Sequence, residues 1–448
     1  MVDPISRFIF CLPPFVRLVV VLTGAVIIHL TIGTYHTFGN MLPYMASYMR
    51  NYTDPTIRIE HFMWIPTFQG CFPFSMIIGG TLSLHVGPRM AALIGCTIAT
   101  SSVALSFWTI KHSFFAFFIT YGVLFGFGQG IAYVTAVATV INWAPEKVGL
   151  VSGIVAAGFG ISSSIFAPIQ THLINPYNLP STKDGYFLDE DLLNRVPDVF
   201  LTLATVYAIM QLIGLIVVCD PPVKVSYSEL VAHMFFKWAE LSFSGTSLRP
   251  LEMLSSSTFY VLFTALFCCS FYANMFYNLY KTFAETFVDD DFFLARAFAV
   301  GSVANAIARI AWGYLTDRTS FQTVVSIATC LATTLLLTMP MTRSVGRYIF
   351  LLWLIGMFIC MGATHALFIT ATTRCFGPLY KATNYGFLTL STTCSGILLS
   401  IISQFYLTSI GYTWFFIITA CFPFTAFLVT SMIQWTPHGS IITSRSHP

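Results

Sequence analysis

The chain has 448 residues, of which 56% are hydrophobic and 9% are charged, and its mean hydropathy is +0.77. A soluble globular chain is about 25% charged, so this composition excludes an ordinary soluble protein and requires a lipid solvent. The net charge of +3 is small and dispersed along the chain, and it gives no indication of a nucleic-acid partner.

Apolar runs long enough to cross a bilayer recur along the whole chain. A spanning helix needs about 20 predominantly apolar residues, and the pattern predicts about twelve such helices in an all-α membrane protein. Six are predicted in the first half, at 17–48, 61–85, 90–110, 114–142, 148–172 and 199–219. Six are predicted in the second half, at 257–280, 292–314, 321–342, 348–372, 383–408 and 412–434.

The predicted helices divide into two six-helix halves, residues 1–220 and 257–448, joined by a linker at 221–256. Three pairs of residues repeat at a constant offset of 233, and each pair falls at an equivalent loop or helix start. The pairs are Gly80 and Gly313, Pro145 and Pro378, and Gly153 and Gly386. A constant offset between two sets of six helices is typical of an internal duplication, so the halves are expected to be pseudo-symmetric.

An even number of spans places both termini on one side of the membrane. That side carries eleven of the 21 Lys and Arg residues and the other side nine, so the positive-inside rule predicts cytoplasmic termini. The Asn51 sequon and the longest external loop, predicted at 173–198, fall on the other side. We expect the plasma membrane rather than an organelle.

Arg309 is the one arginine predicted at membrane depth. Eight residues separate it from Asp317, where its helix leaves the bilayer. Arg309 therefore lies about 12 Å inside a hydrocarbon layer about 30 Å thick. A guanidinium there costs at least ~2.5–3.5 kcal/mol and keeps its charge. It is predicted to face a polar interior and to await an anion, so we expect a carrier of small carboxylates.

Polar side chains on single faces of several predicted helices are candidates for a central cavity. His29 shares the face of His36 and Asn40 in the first helix, and helical spacing groups the others in the same way. The predicted substrate-binding residues are Arg309, Asn305, His36, Asn40, Tyr133, Gln129, Tyr277, His365 and Tyr385. A hydrogen bond between helices is the other explanation for each uncharged member.

Two segments carry related glycine and charge motifs. One reads Gly313-Tyr-Leu-Thr-Asp317-Arg318, and the other runs from Gly80 through Leu84 to Gly87-Pro-Arg89. They resemble the Gly…Asp-Arg…Gly-Arg signature of the major facilitator superfamily, with Leu84 where Asp is usual. The predicted gating residues are Gly87, Arg89, Gly313, Asp317 and Arg318. A charge pair at such a helix end can lock the inner gate and break as the halves move.

The fourth and fifth helices meet at Trp143-Ala-Pro-Glu-Lys-Val-Gly149, and Gly158-Phe-Gly160 follows. This stretch resembles the monocarboxylate transporter and oxalate–formate antiporter families. Segments 376–378, 382–386 and 38–44 resemble the oxalate–formate branch. The resemblance implies the major facilitator fold, transport of small organic anions by alternating access, and a carboxylate-binding arginine at the position of Arg309.

Departures from these families bear on the charge of the cargo. Many monocarboxylate transporters have an Asp one turn before the arginine and a lysine in the first helix, where this chain has Asn305 and Asn40. The bacterial oxalate carrier type adds a lysine near Thr392. One cation favours a monoanion, or a dianion that enters with a proton.

No Asp or Glu is predicted at membrane depth. Coupling to protons would therefore depend on histidines, and exchange against a second anion is the other expectation.

Two other interpretations stay open. The first is a carrier of a neutral solute or amino acid, in which Arg309 is a packing strut, and the second is a non-transporting membrane receptor. An enzyme is not expected, because the sequence has no H-E-x-x-H, no G-x-S-x-G and no paired intramembrane carboxylates. Eleven cysteines without a C-x-x-C pair give no support for a metal or another cofactor. The bilayer and a small carboxylate are the expected partners, and an oligomer is not required.

Overall fold

The computed structural model describes residues 4–57, 59–62, 64–70, 74–177, 179, 186–222, 247–284, 287–288 and 291–431. Within these ranges the chain is built from helices. Among the described residues, ten helical segments are long and apolar enough to cross a membrane. Two more complete the expected set of about twelve: the second, whose described pieces are short, and the eighth, which carries Arg309. The prediction of an all-α membrane protein is confirmed.

The helices are numbered here in chain order, after a short N-terminal helix at Pro4–Cys11. Helix α1 is Pro14–Tyr52. The described pieces of α2 are Ile59–Phe62, Trp64–Gly70 and Ser75–Val86. Helices α3 to α6 are Pro88–His112, Phe114–Trp143, Val148–Ile174 and Glu190–Val217. Helices α7 to α12 are Ser257–Ala284, Asp291–Arg318, Phe321–Thr338, Arg347–Phe376, Lys381–Ser403 and Ile410–Ser431. Helices α11 and α12 form one helical run that breaks at Gly411, which has a φ of 75°.

Helix α6 begins earlier than the sequence pattern predicts. Its first residue is Glu190, whereas the predicted span starts at 199. The Asp189 carboxylate accepts a hydrogen bond from the Leu192 amide at 2.8 Å, and the acidic residues that follow lie at the positive end of the helix. The prediction of an external loop as far as residue 198 is therefore wrong, because its acidic end caps a helix.

The linker between the halves is described only at its ends, since residues 223–246 lie outside the described ranges, as do residues 432–448 of the C-terminal tail. The end of the linker forms a short helix, Pro250–Leu254. The Leu248 amide donates to the Phe376 carbonyl at 2.9 Å, which fixes this end against α10. The membrane face on which α6 ends and α7 begins is called the linker face below.

Helix α1 contains a 3₁₀ stretch at Gly33–Thr37. Within it the Thr34 and Thr37 hydroxyls donate to the carbonyls three residues earlier, each at 2.7 Å. Gly33 packs directly against the backbone of Phe159 in α5. The irregular stretch therefore lies at a close helix contact, and it determines where the His36 side chain points.

Close packing of glycines joins the two halves along two seams. In the seam between α5 and α8, Gly149 faces Gly313, and a Cβ added at Gly153 would lie 2.5 Å from the Arg309 carbonyl oxygen. In the seam between α2 and α11, Gly80 faces the backbone of Thr383, and a Cβ added at Gly386 would lie 2.5 Å from the Ile77 amide nitrogen. The repeat pairs Gly80 with Gly313 and Gly153 with Gly386, so equivalent residues occupy equivalent positions in the two seams. Small residues allow this approach in lipid.

Replacing Gly313 with alanine is expected to force α5 and α8 apart, because the new Cβ would collide with the Gly149 backbone. Overpacking of this kind costs about 1–3 kcal/mol. The measurement is the thermal unfolding midpoint of the purified protein in detergent, which we expect to fall. Gly39→Ala is the matched control, because a Cβ there meets nothing within 4 Å and alanine is favoured in a helix. Equal midpoints for the two variants would contradict the packing described here.

Candidate functional site

Arg309 and Asn305 form a buried pair on one face of α8. Their exposed fractions are 5% and 0%. The Arg309 Nε donates to the Asn305 Oδ1 at 2.8 Å, and the Asn305 Nδ2 donates to the Phe358 carbonyl of α10 at 2.7 Å. The spacing of four residues places the two side chains one above the other. Asn305 therefore fixes the plane of the guanidinium, and α10 fixes Asn305.

The charge on Arg309 is not compensated by a protein acid. No carboxylate in the part of the chain that the structure describes makes an ion pair with it. Its electrostatic neighbours are the phenol groups of Tyr133 in α4, Tyr277 in α7 and Tyr385 in α11. The cation thus lies between tyrosines of both halves, and these can donate hydrogen bonds to an anion without carrying a charge themselves.

An aromatic wall surrounds this cation. The His36 ring stacks on Tyr277 with centroids 4.9 Å apart, and it meets Phe159 edge-on at 5.0 Å. Tyr133 also meets Phe159 edge-on, at 5.5 Å, and Tyr277 contacts Phe358 at 5.1 Å. The pair of His36 and Tyr277 joins α1 to α7, so the wall crosses the boundary between the halves.

Gly160 of α5 also lies at the Arg309 site, although it is not among the predicted polar residues. A Cβ added at this position would lie 3.0 Å from the Asn305 Oδ1 and 3.1 Å from the Arg309 Nε. The absence of a side chain therefore leaves room for the pair. The Gly158-Phe159-Gly160 motif was the signal in the sequence, since it places a glycine and an aromatic residue side by side at the site.

The structure does not bring every predicted site residue to Arg309. The Asn40 amide donates to the Ala167 carbonyl at 3.2 Å and to the Thr171 hydroxyl at 3.1 Å, so it joins α1 to the far end of α5. Gln129 is buried one turn from Tyr133 on α4, and its Oε1 makes no hydrogen bond within the described residues. The His365 side chain lies outside the described residues.

Contacts between the halves close the structure on both sides of the cluster. Toward the face opposite the linker, the Ser163 hydroxyl of α5 donates to that of Ser302 in α8 at 3.3 Å. On the same side, the hydroxyls of Thr67 in α2 and Ser400 in α11 are 3.0 Å apart. The linker face is closed by Asp317. Contacts between the halves therefore lie on both sides of the buried pair Arg309 and Asn305.

Asp317 joins the halves at the linker face. Its two carboxylate oxygens accept from the Gly149 amide at 3.0 Å and from the Leu150 amide at 2.8 Å. These are among the first amides of α5, which have no partner within their own helix, and the helix dipole favours a negative charge there. Arg374 of α10 donates to the same carboxylate at 2.8 Å. The sequence motif located the acid but not this arginine, whose only signal is a basic residue at the end of a helix.

The other predicted gating residues have different surroundings. The Arg318 guanidinium lies over the Tyr314 ring of its own helix at 5.2 Å. Arg89 donates to the Ile216 and Val218 carbonyls at 2.9 and 3.2 Å, so it caps the end of α6 within the first half. Gly87 begins α3 with a φ of 84°, a backbone conformation that favours glycine. The partner of Asp317 across the boundary is therefore a helix end and not a second charged motif.

A second polar contact joins the halves at the linker face. Lys381, at the start of α11, donates to the Asn142 side chain at the end of α4. The Asn142 amide donates in turn to the Asp220 carboxylate at 2.7 Å. Burial raises the pKa of the Asp220 carboxyl, and the bond from Asn142 and the charge of Lys381 oppose that rise. No sequence motif indicated this chain of contacts.

Comparison with known proteins connects this architecture to a family. The family model described as Major Facilitator Superfamily matches residues 21–376 and, in a second match, residues 262–447. Among solved structures, the proton:xylose symporter XylE has a TM-score of 0.69 at 12% identity, with 95% of this chain and 97% of that chain covered. At this identity the likeness shows the fold alone.

Two curated proteins are similar over most of the sequence. Apicoplast pyruvate carrier 1 of Toxoplasma gondii is 25% identical over 456 residues, which cover 87% of this chain and 83% of the carrier. The oxalate:formate antiporter of Oxalobacter formigenes is 24% identical over 375 residues, which cover 82% of each protein. Both matches extend across the two halves and include the region of Arg309 by their length.

Removing the Asp317 side chain is expected to free the first amides of α5. We predict faster deuterium uptake in the peptide that contains Gly149 and Leu150 for Asp317→Ala, measured by hydrogen–deuterium exchange mass spectrometry of the purified protein. Arg318→Ala is the control, because its described contact lies within α8. Unchanged exchange in the Asp317 variant would show that the carboxylate does not hold the seam.

Proposed function

The chain belongs to the major facilitator superfamily, a family of transporters and not of enzymes, and from this premise we propose that it carries small organic monocarboxylates by alternating access. The observation that supports this most is the buried Arg309, which is oriented by Asn305 and has no ion-pair partner within the described ranges. The two curated relatives carry names that refer to pyruvate, oxalate and formate.

A carboxylate would complete the site in both charge and hydrogen bonds. An unpaired guanidinium in an apolar interior is costly, and a planar carboxylate can accept from it at two positions. Tyr133, Tyr277 and Tyr385 add neutral donors around the same point. One cation balances one negative charge, so the composition of the cluster favours a monoanion over a dianion.

The position of the cluster connects binding to movement of the halves. Arg309, Tyr277 and Tyr385 belong to the second half, whereas Tyr133 and His36 belong to the first. A cargo held by both sets would draw the halves together around it, in the manner of alternating access. The empty carrier would have to move a bare cation through the occluded state. We therefore propose that reorientation is faster with cargo, so that exchange exceeds net flux.

The coupling partner follows from the same charge balance. A monocarboxylate on Arg309 leaves the site neutral, so no proton is needed to complete it, and a counter-transported anion suffices. Proton symport would instead use a histidine of the cluster such as His36. Uptake into proteoliposomes with and without an imposed pH gradient separates the two mechanisms.

The orientation and the membrane are also part of this proposal. Both termini are assigned to the cytoplasmic side, because that side carries the excess of Lys and Arg. The plasma membrane stays the expectation from the sequence, while one relative is named for an organelle, the apicoplast. Tagging each terminus and testing its accessibility in intact and permeabilised cells would decide the orientation.

Replacing Arg309 with glutamine is expected to abolish carboxylate recognition while leaving the protein folded. Hydrogen bonds to a charged group contribute about 1.5–3 kcal/mol. The affinity for a monocarboxylate should therefore fall by a factor of ~10 to ~150. Arg309→Lys should retain part of the affinity, because it keeps the charge but loses the planar fork. The measurement is exchange of labelled lactate, pyruvate, formate and oxalate in proteoliposomes.

Arg296→Gln is the matched control for this experiment, since Arg296 lies on the same helix and is exposed. Exchange at the wild-type level by Arg309→Gln would refute the assignment. Transport of a neutral solute that carboxylates fail to inhibit would favour the alternative in which Arg309 is a packing strut.

Gly160→Val should also weaken carboxylate binding, because its side chain would displace the Arg309 and Asn305 pair. Gly158→Val is the control on the same helix, since a Cβ there meets Val26 of α1 and not the pair. We expect a higher KM for exchange with Gly160→Val alone, while both variants lose some thermal stability. An equal rise in KM for both variants would mean that the effect comes from general helix packing.

A further inference from the structure

His29 of α1 is a fully buried polar side chain that the proposed transport mechanism does not use. Its exposed fraction is 0%. The ring Nδ1 lies 2.9 Å from the Ala25 carbonyl oxygen, one turn earlier in the same helix. The ring Nε2 makes no hydrogen bond among the described residues. A buried polar atom in this state costs about 1–3 kcal/mol, so its retention needs an explanation.

The hydrogen bond to Ala25 determines what Nε2 can do. A carbonyl oxygen only accepts, so the proton of the neutral ring is on Nδ1 and Nε2 carries a lone pair. Arg309 already places one positive charge in this interior, and a second on the His29 ring would be repelled by it. The neutral ring therefore presents an acceptor at Nε2, and only a hydrogen-bond donor can satisfy it.

The His29 ring lies beside the aromatic residues that border the Arg309 site. The His29 ring lies 4.7 Å from the Tyr133 ring and 6.4 Å from the Phe159 ring, measured between centroids. Phe159 precedes Gly160, whose backbone adjoins the Arg309 guanidinium. His29 thus borders the cluster from the first half, while Arg309 borders it from the second.

We propose that His29 is a specificity-determining residue, whose Nε2 accepts a hydrogen bond from a hydroxyl group on the carboxylate cargo. This rests on the proposed function, in which Arg309 holds the carboxylate. A hydroxyl group supplies the missing donor without adding charge. An ammonium group would bring a second cation beside Arg309, and a second carboxylate would face a neutral acceptor. The cargo class is therefore a monocarboxylate with a hydroxyl group near its carboxyl carbon.

The test compares three-carbon acids that differ only at the second carbon: lactate with a hydroxyl, pyruvate with an oxo group and propionate with neither. Each competes for exchange of labelled lactate by the intact protein in proteoliposomes. We expect wild-type protein to bind lactate about 10-fold more tightly than the other two. His29→Phe should bring the three affinities together. His29→Gln, which can offer a carbonyl oxygen near the position of Nε2, should keep much of the preference.

The readout is a ratio of affinities, which a purely structural role for His29 would leave unchanged. His112→Phe is the control, because His112 is exposed at the end of α3. Equal affinities of the wild type for lactate and propionate would overturn the assignment even if the His29 variants fail to fold. An unchanged ratio in a folded His29→Phe would overturn it too. If Arg309→Gln binds all three acids like the wild type, the proposed function fails and this inference fails with it.

Discussion

The central constraint on the structure is one buried positive charge, which is costly in an apolar interior and has no ion-pair partner among the described residues. Arg309 is buried on α8 near Tyr133, Tyr277 and Tyr385, and its Nε donates to the amide oxygen of Asn305. An amide orients the guanidinium without neutralising it, whereas an aspartate at the same position would form a closed ion pair. Asn305 therefore fixes the geometry of the guanidinium and leaves its charge uncompensated.

Two glycine seams join the halves between which this charge lies. Glycine contacts bring α5 against α8 and α2 against α11, and such contacts rely on shape instead of strong bonds. Polar contacts are placed at the ends of the seams. At the linker face, Asp317 accepts from the start of α5, an interaction that is lost completely once the helix end moves away. The arrangement therefore combines close packing along the seams with a few polar contacts at their ends, such as those of Asp317.

Much of this could be predicted from the sequence, and the remainder has physical reasons for being hidden. Arg309 was predicted to face an interior, and its side chain is buried. The constant offset of 233 indicated which glycines are equivalent, and the structure places two of these pairs in the two seams. Side chains with two equally good partners were harder to place. Asn40 was assigned to the cavity by its helical face, but its side-chain amide donates a hydrogen bond to the Thr171 hydroxyl. A polar side chain in a membrane helix forms a hydrogen bond with whichever polar group is near it.

Contacts between segments that are far apart in the sequence could not be predicted from the sequence pattern. Asn142, Lys381 and Asp220 come from three different helix ends, and nothing in their local sequence indicates that they meet. The start of α6 was misplaced for a similar reason, since the acidic run after residue 188 reads as a solvated loop until Asp189 is seen to cap a helix. Local composition identifies loops and caps by the same residues, and only tertiary structure separates them.

The 3₁₀ stretch makes α1 longer than an uninterrupted α-helix of the same residues would be. A 3₁₀ helix rises about 2.0 Å per residue and an α-helix about 1.5 Å, so conversion of the five residues Gly33–Thr37 would shorten α1 by about 2.5 Å. It would also rotate His36 away from the Tyr277 ring on which it now stacks. The contact between the halves at His36 and Tyr277 therefore depends on the helical winding of this stretch.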